Sequence, residues 1–135
     1  MKYVLMIYGN PENWEPPVFR SDPRFLALAA GEREALAEQA EALRRELTES
    51  GELIEGVALA GPGGTRTIRV RDGAEVATDG PFIEAKEQLA GYLMVDCASP
   101  ERAAQIAARL PDARFGAVEV HPVAEEPVRP RPTAP

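Results

Sequence analysis

Cysteine and histidine are nearly missing from this sequence of 135 residues, each present once, as Cys97 and His121. A lone cysteine has no partner for an internal disulfide, and one thiol with one imidazole cannot supply the ligand cluster of a zinc site. No spaced Asp/Asn set around a glycine resembles a calcium loop, so neither a metal nor another cofactor is expected. Long hydrophobic runs are missing as well; none approaches the ~20 residues that span a bilayer. The apolar start Met1-Lys2-Tyr3-Val4-Leu5-Met6-Ile7-Tyr8 meets Gly9-Asn10-Pro11 before a signal peptide would be complete, which makes it a first strand and the expected location cytoplasmic. Positive charge is in the minority: 15 Lys and Arg stand against 22 Asp and Glu, a formal net charge of -7 whose field repels nucleic acid and anionic lipid. Neither nucleic acid nor membrane is an expected partner. The glycine-rich Gly61-Pro62-Gly63-Gly64 lacks the lysine and Ser/Thr pair of a phosphate loop and precedes a strand pattern, so it reads as a turn.

What is present is a regular succession of element signals over residues 1–123, one domain in length, followed at 124–135 by a flexible tail rich in proline and without apolar periodicity. Residues 2–8 are apolar on both alternating faces, a strand that needs cover on both sides. Residues 9–23 are irregular, with Trp14 and Phe19 as aromatic anchors over a pocket or interface, and Asp22-Pro23 suits the start of a short helical turn. Over 32–50, Leu36, Ala40, Leu43 and Leu47 recur at helical spacing, Glu34, Glu38, Glu41, Arg44, Arg45 and Glu46 make a solvated face, and Gly51 is the stop. A strand at 53–59 is followed by two more at 65–71 and 74–78 around Asp72-Gly73, the signature of a type I′ hairpin, one face of which is wet with Arg66, Arg69 and Arg71. An apolar strand at 91–97 leads into Ser99-Pro100-Glu101, which opens a second helix with Ala103, Ile106, Ala107 and Leu110 as its buried stripe and Pro111 at its end. The last strand, 117–123, carries Glu119 and His121 on one face.

Strand, helix, strand, hairpin, strand, helix, strand is the ferredoxin-like α+β plan, a split βαβ with an inserted β-hairpin. Both helices then cover one face of the sheet. Because the strands at 2–8 and 91–97 are apolar on both faces, the open face calls for a second copy packed sheet to sheet about a two-fold axis, and a homodimer is expected.

The stretch 78–97 sets a turn and a charged corner against a strand that belongs in the core. Its run Asp79-Gly80-Pro81-Phe82, continued by Glu84-Ala85-Lys86-Glu87-Gln88-Leu89-Ala90-Gly91-Tyr92, resembles the signature of the DGPF family, a branch of the YCII-related domains, with Ala85 and Ala90 where Thr and Gly are commoner. The resemblance covers roughly residues 1–123 and implies a dimeric α+β barrel with a cleft between sheet and helices. It implies no settled reaction; many members belong to contexts linked to sigma factors or stress. A His and Asp pair proposed for acid/base work in the wider group has no counterpart, because this chain has no His in or before its first helix.

Read from the residues themselves, Asp79, Glu84, Lys86 and Glu87 are the densest ionisable set beside a buried strand. Three function classes follow. The first is binding of a small organic molecule in the cleft, with Tyr8, Trp14, Phe19, Asp79 and Tyr92 as contacts. The second is a lyase or isomerase with Glu84 or Glu87 as base and Lys86 holding an anionic substrate. The third is a dimeric regulatory or interaction module without turnover. A purely architectural role has Asp79 capping its turn, Lys86 paired with Glu84 or Glu87, and Phe82 packed in the core. Cys97 reads as a core residue and His121 as a residue of the strand surface.

Overall fold

Alternation of Tyr3, Leu5 and Ile7 with Val4, Met6 and Tyr8 produces strand β1, Lys2–Gly9, at the centre of a four-stranded antiparallel sheet. These features come from a computed structural model that describes residues 1–10, 14–82 and 87–124. A short 3-10 turn (Val18–Ser21) and helix α1 (Pro23–Leu26) lead to the long α2 (Ala30–Glu49), then β2 (Leu53–Ala58), the hairpin strands β3 (Arg66–Arg71) and β4 (Ala74–Asp79), and β5 (Gln88–Asp96). Helix α3 (Pro100–Arg109), the single turn α4 (Asp112–Phe115) and β6 (Ala117–Pro122) complete the order. The sheet runs β2-β5-β1-β6, the strand order of the expected ferredoxin-like α+β fold, and among the described residues β3 pairs only with β4.

Local chemistry sets the boundaries. The Asp22 carboxylate accepts the Arg24 amide at 2.8 Å, and Ser99 Oγ accepts that of Arg102 at 3.0 Å, so both helix starts are capped by the residues that the sequence offers. Asp72 and Gly73 have φ of 52° and 75°, the left-handed pair that a type I′ turn demands. Strand β5 begins three residues earlier than its apolar run alone suggests, because Gln88 and Leu89 continue the ladder with Gly9 and Tyr8 across a bulge at Ile7/Tyr8. Gly91, at that bulge, must be glycine: a Cβ there would lie 2.3 Å from the Val57 carbonyl oxygen.

The core sits between the sheet and two helices. Tyr3, Leu5, Val95 and Cys97 meet Leu43 and Leu47 of α2 and Ala103, Ile106 and Ala107 of α3. Full burial of each such aliphatic side chain contributes about 1.5–3 kcal/mol. A second cluster stacks Phe19 edge-on to Phe25 (5.4 Å between ring centroids) and Phe25 edge-on to Phe115 (5.8 Å). Leu28, Leu36 and Ala40 pack against it, which fastens the segment before α2 to the turn after α3. By strand alternation Val4, Met6, Tyr8, Tyr92 and Met94 face the other way; they are half-buried and belong to neither cluster.

On the outer surface Arg102 binds Glu52 through two parallel bonds of 2.9 Å, and Arg109 reaches Glu46 at 2.6 Å, so α3 is tied to the end of α2. The Arg102 guanidinium holds the Glu52 carboxyl below its ordinary range. A folded pKa lowered in this way contributes stability above the ordinary value and loses it as acid protonates the group. Replacing Arg102 with Met should therefore destabilise the protein by about 1 kcal/mol in low salt near neutral pH. The deficit should shrink in high salt and below pH ~4, and chemical denaturation at matched conditions measures it.

Candidate functional site

Small residues on two adjacent strands create the site. Gly56 and Ala58 of β2 and Ala90 and Gly91 of β5 present little side chain beneath α2, whose Ala40 is also small, and a cleft of about 330 Å³ remains there. Leu43, Leu47, Leu53 and Leu93 give it apolar walls, and Pro16, Pro17 and Val18 close one end. That volume and lining suit a small organic molecule.

Among the described residues, the ionisable ones that line the cleft are, apart from Tyr92, Arg44 and Asp112. Arg44 lies on the exposed side of α2 and makes no ion pair among the described residues. Asp112 is the contrary case. Pro111 ends the α3 segment and is itself buried, and the next residue opens α4, with the Asp112 carbonyl accepting the Gly116 amide at 2.8 Å. The carboxyl side chain is thereby carried inside, where the residue is only 8% exposed. Burial pushes its pKa up to about 6, opposed only by the hydrogen bond from its own backbone N–H. Asp112 and Val18 also line a second, very small cavity of about 10 Å³ beside Tyr8, Phe19, Asp22 and Phe115, so Asp112 borders both spaces. Among the described residues no group of three or more His, Cys, Asp or Glu could hold a metal ion.

The pattern of the YCII-related domain matches residues 1–127. The chain belongs to the YCII-related family. It is also 36% identical over 100 residues to an uncharacterized protein of Rhizobium meliloti (strain 1021), an overlap that takes in 73% of this chain and 81% of that protein.

In this YCII-related protein the residues singled out from sequence fall in different places. Tyr92 borders the cleft, but by strand alternation its side chain belongs to the other face, where its hydroxyl donates to the Glu55 carboxylate. Tyr8 and Phe19 line the small cavity next to Asp112, with Phe19 buried in the aromatic cluster and the Tyr8 hydroxyl bonded to Glu119. Both phenols are raised above their ordinary pKa, first by the hydrogen bond to the carboxylate and then by desolvation. Trp14 anchors its loop: its indole N–H donates to the Leu59 carbonyl oxygen at 3.1 Å. Asp79 ends β4 with its side chain fully exposed, 3.9 Å from Arg66. Glu87 is exposed immediately before β5, while Glu84 and Lys86 lie outside the described residues. Phe82 departs from the expectation that it packs in the core: it is 70% exposed, and Arg69 lies 4.9 Å from its ring centroid. No helix among the described residues is long and apolar enough to cross a membrane.

Sequence reasoning passed over Asp112 and assigned Arg44 to a solvated face. The available signal was an acid directly after Pro111 at the end of a strongly apolar helix stripe, together with the run of small residues in β2 and β5.

The raised Asp112 pKa fixes the sign of a pH effect. The folded state prefers the protonated acid, so its contribution is intact below 3.8 and lost as pH rises through about 6. The gap corresponds to about 3 kcal/mol at neutral pH. Asp112→Asn should thus melt at a higher temperature than the wild type at pH 8 and lose that advantage on acidification to pH ~4. Parallel melts of the two proteins across that range cancel the carboxylates they share, and an advantage that grew on acidification would contradict the burial argument.

Proposed function

We propose that this YCII-related protein binds a small, largely apolar organic molecule in the cleft between α2 and the β2–β5 side of the sheet, and that it works as a homodimer joined through the uncovered sheet face. The observation that carries the first part is the cleft itself: about 330 Å³ beneath a helix, walled by leucines and floored by glycine and alanine. Larger side chains at Gly56, Ala58 and Ala90 would narrow this space, and a concave, largely apolar cleft of that size invites an occupant. The dimer is supported by Val4, Met6 and Met94 on the helix-free face, an apolar surface that a second sheet would cover.

A catalytic version of the reading has Glu84 or Glu87 as base and Lys86 as anion holder. It draws support from β5, the strand that this segment precedes, since Ala90, Gly91 and Tyr92 line the cleft.

A thermal-shift screen of small organic molecules tests the binding reading. A ligand at a hundred times its dissociation constant stabilises by about 2.7 kcal/mol. Ala40→Phe, which fills the cleft from α2, should abolish the shift while the circular dichroism spectrum stays unchanged; a shift that survives the filled cleft places the ligand elsewhere. For the dimer, sedimentation at micromolar concentration should give twice the chain mass, and Met6→Asp should return it to the monomer. A wild-type chain that sediments as a monomer ends the sheet-to-sheet proposal.

A further inference from the structure

Asp112 is more than nine-tenths buried and lines two cavities, yet among the described residues it has neither a cationic partner nor any hydrogen-bond donor beyond its own amide. Isolated carboxylates are rarely kept at this depth, because burial without a partner is costly unless something else supplies one. The charges around it do not. Asp22, across the small cavity, has both oxygens engaged by Arg24: Oδ1 accepts the amide and Nε at 2.8 and 3.2 Å, and Oδ2 accepts Nη2 at 3.1 Å. Arg114, on the same turn, lies over the Phe115 ring, 5.4 Å from its centroid, and is exposed. Arg44 belongs to the exposed side of α2, at the solvent margin of the cleft. Tyr8 donates to Glu119.

We infer that the cleft selects a molecule with a protonated amine on an otherwise apolar body, the amine paired with Asp112 and the body lying against Leu43, Leu47 and Leu93. This deepens the cleft-binding reading and rests on it. An ammonium group brings the opposite charge and the donors that Asp112 lacks, and charge-assisted bonds in a water-poor site are the strong ones. A carboxylate on the same body would meet Asp112 as a like charge in a low-dielectric pocket and could reach Arg44 only from the margin. A neutral hydroxyl supplies a donor without the charge. With a net charge of -7, the protein as a whole also attracts small cations rather than anions.

Three probes that share one phenyl body decide the matter: phenethylamine, phenethyl alcohol and hydrocinnamate, titrated at millimolar concentration into the full chain with protein-observed NMR. The amides of Ala40, Leu47 and Leu93 report on the cleft. The amine should bind about tenfold more tightly than the alcohol, and hydrocinnamate most weakly. Asp112→Asn should bring amine and alcohol together by weakening the amine alone. Equal affinity of amine and alcohol, with cleft amides shifting for both, overturns the amine assignment and leaves cleft binding intact. Tightest binding by hydrocinnamate, lost in Arg44→Gln, likewise overturns it in favour of an anionic ligand. No shift of cleft amides with any probe counts against both readings. The ranking on the unmodified protein stands whether or not the Asn variant folds.

Discussion

The pairing of β1 with β5 is the constraint on which the other elements depend. β1 brings β6 to one side and β5 brings β2 to the other, so both flanking strands are placed by this central ladder. Its helix-side residues, Tyr3, Leu5 and Val95, are the surface on which α2 and α3 settle. The ladder is also where the fold departs from regularity, at the Ile7/Tyr8 bulge opposite Gly91. There the Val57 carbonyl approaches so closely that no side chain fits. The small residues that permit this approach are among those that leave the cleft unfilled beneath α2. Strand packing and pocket formation thus share a cause.

Charge is handled in two opposite ways. Around Arg102 the ionic groups satisfy one another at the protein surface, and Glu46 and Glu52 are held below the ordinary carboxyl range by their arginine partners. At Asp112 the acid is buried without a cationic partner among the described residues, and its pKa moves the other way. The first arrangement stabilises the fold modestly. The second costs stability at neutral pH, where the buried acid is driven to ionise.

Much of the fold was legible in the sequence because its signals are local. The α3 stripe, the Ser99-Pro100 start, the Asp72-Gly73 turn and the alternation of β1 act within a few residues, and each resulted in the expected element. Burial of Asp112 is different in kind, since it depends on α4 folding back against the 3-10 turn and β1, contacts across about a hundred positions in sequence that no window reveals. Phe82 misled for a related reason. An aromatic residue in a family signature suggests a core role, but here the hairpin offers it an arginine as a stacking partner instead of an interior. Tyr8 and Phe19 border the small cavity and Tyr92 the cleft, while Trp14 holds a loop and Asp79 stands away on the hairpin, a division set by three-dimensional placement.

The β3–β4 hairpin has a further consequence. As a sheet of two strands it leaves, among the described residues, one edge of each strand unpaired, with Ile68, Val70 and Val76 exposed along it. An apolar ribbon with two free edges is a template for recruiting stray strands from other chains. Arg69 and Arg71 stand on one face of β3 and Arg66 on the other, with Glu75 and Asp79 on β4, so any foreign strand would have to strip water from charge on both faces of the ribbon. These charged side chains act as gatekeepers against aggregation on a strand pair that carries apolar residues outside the core.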